Sequence, residues 1–167
     1  MRADQGELAN AVNENDRLVL FTIDDQKYGL PLAVVDRVLR AVEVTALPEA
    51  PRIVAGVFSL QGRPVPVIDL RRRFGLPERR VDVDDHFIVA QSSTMLVALP
   101  VDEALGLARD LDDERVPAAD VVPDLNYVES VVAAGAEMVF VLDIDTVLTD
   151  DEEGALRDRL DEAPGTS

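Results

Sequence analysis

Short apolar runs separated by turn residues account for most of the chain. Residues 17–23 are rich in β-forming side chains and end at Asp24-Asp25, which is typical of a buried strand followed by a tight turn. Similar runs predict further strands over residues 26–30, 54–60, 64–68, 86–91, 94–99 and 138–142. Gly62 supplies the positive φ that a tight turn between the strands of residues 54–60 and 64–68 needs. The pattern therefore predicts a mostly β protein built from hairpins.

A few segments depart from this β pattern. Residues 32–39 carry apolar side chains at the spacing of one helical face and predict a short helix that runs into a strand ending near residue 44. Residues 70–74 predict a helical turn, and residues 149–163 predict a helix with Thr149 as N-cap and Glu152 at the capping-box position.

Prolines and charged residues predict the irregular parts of the chain. Residues 46–51 read as a turn-rich connector, and residues 106–124 read as acidic and irregular. Pro64 and Pro66 lack N–H groups on the same side of their strand, which predicts an exposed strand edge there.

The two halves of the chain resemble each other. Leu30-Pro31 and the four residues from Asp36 are echoed by Leu99-Pro100 and the four residues from Asp102. Residues 67–70 are echoed by residues 141–144, in the same order along the chain. The repeat predicts two similar small β-units packed side by side, each too small to bury a stable core alone.

The charge of the chain excludes some partners. The 167 residues carry 33 acidic and 16 basic side chains, and the net charge is −17. Such a field repels nucleic acid and anionic membranes, because the dense basic positions are confined to residues 71–73 and 79–80. Lys27 is the single lysine, a bias that fits either a GC-rich genome or a salt-adapted, acidic surface. Residues 1–16 are polar and are expected to form a flexible leader rather than a signal peptide.

The sequence contains no arrangement of residues that predicts catalysis. Cysteine is absent, which excludes a disulfide or a thiolate site and fits a cytoplasmic setting. The single histidine, His86, is expected to lie at a loop–strand junction, and no nucleophile elbow or phosphate-binding loop occurs. No catalytic, cofactor-binding or metal-binding residue is therefore predicted, and a small acid-rich enzyme is the least favoured alternative.

The order of the segments resembles the CheW domain over about residues 16–150. The matching residues are Leu20-Phe21-Thr22-Ile23, Tyr28-Gly29-Leu30, Val35 to Val38, Pro48, Pro51, Gly56-Val57, Leu60, Gly62, Pro66-Val67-Ile68-Asp69-Leu70, Val101-Asp102, Tyr127 and Val141-Leu142-Asp143. The resemblance implies an all-β fold of two intertwined five-stranded SH3-like barrels within residues 17–150, the second centred on about 86–142, followed by the C-terminal helix over 149–163.

The resemblance also implies a function. Proteins of this family are non-enzymatic cytoplasmic adaptors without cofactors, recruited to membrane receptor arrays. The first barrel contacts the CheW-like regulatory domain of the histidine kinase CheA, and an apolar groove between the barrels takes the helical cytoplasmic tip of a chemoreceptor. An accessory scaffold of a related kinase pathway, controlling pili or a second messenger, is the alternative.

The family's partner-binding positions fall on one set of residues in this sequence: Val35, Arg37, Val38, Val44, Gly56, Ser59, Gln61 and Gly62. Three of them depart from the family pattern, because Ser59 replaces an asparagine, Gln61 replaces an arginine and Arg37 replaces an acidic residue. The loss of a forked, permanent charge at Gln61 puts partner specificity in question. The valines could equally be core residues, and the glycines could serve backbone geometry alone, so Ser59 and Gln61 are the better probes.

Overall fold

A computed structural model describes residues 17–108, 115–120, 125–134 and 137–162. The strands within these ranges are β1 (Leu18–Ile23), β2 (Gln26–Pro31), β3 (Val35–Arg40), β4 (Val54–Leu60), β5 (Arg63–Ile68), β6 (His86–Gln91), β7 (Leu96–Val101), β8 (Glu103–Ala108), β9 (Arg115–Pro117), β10 (Val128–Ala134) and β11 (Glu137–Leu142). The α-helices are α1 (Leu70–Phe74) and α2 (Asp150–Glu162). The predicted leader, residues 1–16, lies outside the described residues, as does residue 163 at the end of the predicted C-terminal helix.

The described strands form two sheets, and the order of strands is equivalent in the two when β9 is left aside. One sheet has the order β8-β1-β2-β11-β10-β9, and the other has the order β3-β6-β7-β5-β4. Each contains one parallel pairing at the equivalent place, β2 with β11 and β7 with β5. Thr45, a few residues beyond β3, bridges Val57 of β4 at the opposite edge of the five-stranded sheet. This bridge brings the two edges of that sheet together in the manner of an SH3-like barrel.

The sheets exchange hairpins between the two halves of the chain. The β1–β2 hairpin lies in the six-stranded sheet with β8, β10 and β11, whereas the β6–β7 hairpin lies between β3 and β5 in the five-stranded sheet. The pairs Val54↔Ile68 and Val128↔Leu142 occupy equivalent positions, and a bulge follows each of them. The sequence repeat is therefore a structural repeat.

The exchange changes where the units divide. A second unit centred on about 86–142 does not correspond to one sheet, because residues 86–101 pair with the strands of residues 35–68. The sheet that contains β10 and β11 takes its central hairpin from residues 18–31 instead. The predicted strand count of five also holds for only one sheet, since the other has six described strands.

Both faces of the central strands are buried, which explains their weak alternation. Along β6, Phe87 and Val89 point into the five-stranded barrel, whereas Ile88 and Ala90 join a cluster shared by the two sheets. The shared cluster also contains Phe21 and Leu30 from the other sheet. The two sheets are therefore packed against each other over a common core.

Three segments differ from the sequence predictions. The helix expected over residues 32–39 is a single 3₁₀ turn, Leu32–Val34, because the β-branched residues that follow pair with β6 as strand β3. The edge expected at the two prolines of β5 is exposed only at Pro64, since Pro66 is buried and β5 lies between β4 and β7. Residues 106–124, expected to be irregular, contribute the end of β8 and the short strand β9.

Both helices begin with a side-chain cap. The Asp69 carboxylate accepts the Arg71 amide at 2.9 Å at the start of α1, and Gly75 ends that helix with a φ of 73°. At the start of α2, the Thr149 hydroxyl accepts a hydrogen bond from the Glu152 amide at 3.1 Å. The Glu152 carboxylate in turn accepts one from the Thr149 amide at 2.9 Å. The predicted capping box is thus confirmed. Leu156 of α2 is fully buried in the shared core.

Candidate functional site

The predicted partner-binding residues all belong to the segments that build the five-stranded barrel. Three lie on the edge strand β3, two lie where the chain closes the barrel, and three lie at the end of β4 and in the β4–β5 turn. In that order they are Val35, Arg37, Val38, Val44, Gly56, Ser59, Gln61 and Gly62.

Val38 is an exposed apolar side chain at the rim of the shared core. It is 43% exposed on β3 and pairs directly with Ile88, which is fully buried in the shared cluster. Directly paired residues project from the same face of a sheet, so Val38 continues the surface of that cluster to the outside. Val42, 46% exposed, follows it along the chain. This stretch can contact an apolar partner.

Arg37 lies beside a bulge in the same strand. The pairing of β3 with β6 is irregular between Val35 and Arg37, and Asp36 between them is exposed. The Asp36 carboxylate accepts a hydrogen bond from Arg37 Nε at 2.6 Å. Val35 is half-buried against the shared core. The charge that replaces the family's acidic residue is therefore partly balanced by its own neighbour.

The β4–β5 turn displays Ser59 and Gln61 on a constrained backbone. Gln61 and Gly62 have φ values of 53° and 84°, the two positive angles of the turn that best fits a twisted hairpin. Ser59, Gln61 and Gly62 are all exposed. The sequence predicted the positive φ at Gly62 but gave no sign of the one at Gln61.

Gly56 and Val44 contact each other inside the barrel closure. A Cβ atom added to Gly56 would lie 2.3 Å from the Thr45 carbonyl oxygen and 2.6 Å from Val44 Cγ1. Gly56 is buried, and Val44 is half-buried against the interior cluster of the five-stranded barrel. Any effect of these two residues on a partner would therefore act through the shape of the barrel.

Further apolar side chains around the shared core were not singled out from the sequence. They are half-buried and pack against it, and they include Leu32, Val34, Leu47, Ala50, Phe74, Leu76, Met95 and Leu125. Their sequence signal is weak, because most lie in turns rather than in periodic runs. Like Val35, each of them adds partly exposed apolar surface next to the core shared by the two sheets.

The internal repeat places a second exposed apolar residue on the other edge strand. Leu107 of β8 is 53% exposed and pairs with Val19, just as Val38 pairs with Ile88. Leu105, at the bulge of β8, is also exposed. Neither residue was predicted from the sequence to be an exposed contact, because Leu107 lies in the segment expected to be irregular and Leu105 was noted only as part of the repeat.

The basic cluster at residues 71–73 is engaged in ion pairs. Arg71 contacts Asp24 and Asp102 at 2.9 Å, Arg72 lies 3.3 Å from Asp69, and Arg73 pairs with Glu152. A cluster whose charges are balanced in this way offers little attraction to a phosphate backbone.

In the described part of the chain, no three His, Asp or Glu side chains are grouped so that they could hold a metal ion. Neither of the described α-helices has the length and apolar character needed to cross a membrane.

Comparison with known proteins agrees with the fold. The model of the CheW-like domain family matches residues 17–152. The chemotaxis protein CheW of Rhizobium meliloti (strain 1021) is 27% identical over 145 residues, which cover 86% of this chain and 94% of that protein. Protein FrzA of Myxococcus xanthus is 31% identical over 116 residues, which cover 70% of this chain and 69% of that protein.

A solved structure shows the same architecture. The crystal structure of the scaffolding protein TtCheW from Thermoanaerobacter tengcongensis matches with a TM-score of 0.75 at 25% identity, and the match covers 83% of this chain and 95% of that chain. The resemblance drawn from the sequence is confirmed by the family model and by the two packed sheets with a C-terminal helix. The chain belongs to the CheW-like family of chemotaxis coupling proteins.

Proposed function

We propose that this chain is a non-enzymatic cytoplasmic adaptor that couples a CheA-type histidine kinase to the cytoplasmic tips of chemoreceptors. The observation that carries the proposal is the exposed apolar edge of the five-stranded barrel, centred on Val38, in a chain of the CheW-like family. A surface of this kind binds partners through shape and apolar contact and needs no reactive group.

The kinase contact is assigned to the outside of the five-stranded barrel. Val38 supplies an exposed apolar anchor, and the exposed Ser59 and Gln61 supply polar contacts from the β4–β5 turn of the same barrel. Apolar anchors surrounded by polar groups are the usual arrangement at such interfaces. Gly56 and Val44 support this surface from inside by closing the barrel.

The receptor contact is assigned to the apolar rim between the two sheets. An amphipathic helix can place its apolar face along a groove of this kind. Leu32, Val34 and Val35 follow one another at the corner between β2 and β3, and Met95 lies just before β7. We assign these four side chains to the groove, where assembly into a receptor array at the membrane would strengthen a modest contact by multivalency.

A related pathway is the second candidate. Gln61 and Arg37 depart from the family pattern at partner-binding positions, and one of the relatives that the chain resembles is FrzA rather than a protein named CheW. The same surface would then serve a different kinase. Measuring the affinity of this chain for each CheA-type kinase of its own organism discriminates the two candidates, because the cognate kinase should bind most tightly.

A small acid-rich enzyme is the third candidate and has less support. It requires a deep polar pocket with perturbed carboxylates. Among the described residues, the carboxyl groups with lowered pKa values are those of Asp102 and Glu152, and although burial opposes this lowering, both are held in ion pairs with arginines. Such pairing is typical of structural charges.

The substitution Val38→Asp tests the proposal. A carboxylate at the centre of an apolar interface should weaken binding to the CheW-like domain of the kinase by about tenfold or more, since its desolvation is not compensated. The matched control is Val83→Asp, at a loop residue that is 77% exposed, which should bind like the parent. Titration calorimetry measures both. Unchanged affinity of the Val38 variant, or absence of any binding by the parent chain to its cognate kinase and receptor fragments, would contradict the proposal.

A further inference from the structure

A buried arginine bridges the two sheets where the chain crosses between them. Asp102 is the residue between β7 of the five-stranded sheet and β8 of the six-stranded sheet. Arg71, on helix α1 after β5, places Nη2 3.0 Å and 2.9 Å from the two oxygens of Asp102. Its other terminal nitrogen, Nη1, donates to Asp24 at 2.9 Å, and Asp24 lies in the β1–β2 turn of the six-stranded sheet.

A second arginine extends the network. Arg79 Nη2 donates hydrogen bonds to Asp102 at 2.6 Å and to Asp85 at 3.0 Å. Asp85 is the residue just before β6. The Arg71 side chain is 10% exposed and that of Asp85 is 8% exposed. The ionic chain Asp24–Arg71–Asp102–Arg79–Asp85 therefore joins the β1–β2 turn, α1, the crossover and the start of β6.

Backbone hydrogen bonds hold the acceptors of this network in place. The Asp24 amide donates to Asp102 Oδ2 at 2.8 Å, and the Asp102 amide donates to the Thr22 carbonyl at 2.9 Å. Burial alone would raise the pKa of the Asp102 carboxyl, but the Asp24 amide and the two guanidinium groups hold it below its ordinary value. The carboxylate is thus ionised and fixed at physiological pH.

The guanidinium group suits this position better than an ammonium group. It is planar, stays charged, and presents several N–H donors in fixed directions, so it holds two carboxylates at a set angle. A lysine at the same place would keep the charge but not the angle. The neighbouring cavity has a volume of only about 30 Å³, which leaves room for about one water molecule.

We propose that Arg71 is a positioning residue that fixes the relative orientation of the two sheets, and through it the shape of the surface that spans them. Buried ion pairs contribute little net stability compared with apolar packing, whereas some of them specify one arrangement of the chain. Arg71 binds the Asp24 carboxylate in the β1–β2 turn and the Asp102 carboxylate at the crossover. The relative position of these two carboxylates therefore depends on the Arg71 side chain.

The orientation of the sheets can be measured directly by spin labelling. The chain has no cysteine, so Gln91→Cys on the five-stranded sheet and Met138→Cys on the six-stranded sheet provide two exposed attachment sites. Pulsed electron–electron double resonance then gives the distribution of distances between the two spin labels. With Arg71→Lys or Arg71→Met added, we expect a shifted or broadened distribution in protein that is folded by circular dichroism.

Arg72→Met is the matched control. Arg72 lies on the same helix, but it contacts Asp69, Glu78 and the Arg52 carbonyl. All of these lie within residues 52–78, so Arg72 does not bridge the two sheets through them. The distance distribution of the labelled Arg72→Met variant should match that of the labelled parent. If the Arg71 variants prove too unstable, Asp24→Asn removes the partly exposed acceptor of the network more gently. Parent-like distributions for both Arg71→Lys and Asp24→Asn would overturn the proposal.

A second measurement links the orientation to partner binding, and this one rests on the proposed function. The receptor helix is assigned to a groove formed by both sheets, whereas the kinase is assigned to one barrel. Arg71→Lys should therefore weaken receptor binding by about fivefold, the scale for residues that act without touching the ligand, and leave kinase binding unchanged. Equal effects on both partners would count against the proposal. Failure of the parent to bind either partner would refute the proposed function and leave the labelling result to decide about Arg71.

Discussion

Gly56 shows how one residue without a side chain determines the closure of a barrel. Its φ of +153° and the 2.3 Å distance from a built Cβ to the Thr45 carbonyl oxygen leave no space for alanine. Gly56→Ala should therefore lower the free energy of unfolding by about 2 kcal/mol or more, through strain and displaced backbone. Denaturant titration followed by circular dichroism measures the loss.

Gly62→Ala is the control for that prediction. Gly62 has a φ of +84°, but a Cβ built there has no atom within 4 Å. The cost should be limited to the left-handed backbone, about 1 kcal/mol. Equal losses for the two variants would show that crowding at Gly56 is not the cause.

The sequence could not separate the surface role of a residue from a role in closure. Val38 and Val44 are the same residue type a few positions apart, yet one is exposed at an edge and the other lies against Gly56. The difference arises from the bridge between Thr45 and Val57, a contact that no local pattern encodes. Ser59 and Gln61, preferred as probes because they are poor core residues, are indeed exposed.

At the scale of elements, helix α2 depends on its capping box and on an ion pair to α1. Burial alone would raise the pKa of Glu152, but the Arg73 guanidinium and the Thr149 amide lower it below the ordinary 4.5. Because the folded-state pKa is depressed, the contribution of Glu152 to stability is complete well above pH 4.5 and is lost as the pH falls through the lower value. Acid below that value should therefore weaken the start of α2.

Glu152→Gln tests this assignment. The variant should lose about 1 kcal/mol of unfolding free energy at pH 7, and the difference from the parent should vanish as the pH falls below the pKa of Glu152. Glu153→Gln is the control, because Glu153 pairs with Arg157 of the same helix, at 3.2 Å, rather than with a residue of α1. Unfolding curves over a pH series measure both. A difference that persists unchanged in acid would contradict the assignment.

Strands with apolar runs around turn residues were predicted well, including β4 despite its bulge after Val54, and strands without such runs were not. The hairpins of β1–β2, β4–β5 and β6–β7 follow from apolar runs around turn residues. Strand β10 was missed because its bulge between Val128 and Ser130 breaks the alternation. Strand β8 was missed because it contains Gly106, at a φ of 103°, and exposes most of its side chains.

At the scale of the whole molecule, the exchanged hairpins make the two halves of the chain interdependent. A fragment of residues 17–85 would contain neither β11, the parallel neighbour of β2, nor β6, the neighbour of β3. We therefore expect fragments 17–85 and 86–162 to be unfolded alone and to regain sheet structure when mixed. Circular dichroism of each fragment and of the mixture is the measurement, and an independently folded fragment would refute this expectation.

The contacts between the sheets were the part of the molecule least accessible from sequence. The repeat predicted two units and a shared core, but the exchange of hairpins depends on parallel pairings between strands far apart in the chain. The ionic network is similar, because Arg71 lies 47 residues from Asp24 and 31 residues from Asp102. Residues 71–73 stood out as a basic cluster, but nothing local indicated their partners.

The exchanged hairpin also determines when the fold can be completed on the ribosome. Strands β1 and β2 are synthesised first, yet β11, beside β2, is the last strand to emerge. Throughout most of translation the face of the first hairpin that carries Leu18 lacks its native cover, because its buried neighbours Val132, Val139 and Val141 belong to β10 and β11. Exposed apolar hairpins of this kind are prone to aggregate, so the nascent chain should need protection by a chaperone until Leu142 has left the exit tunnel.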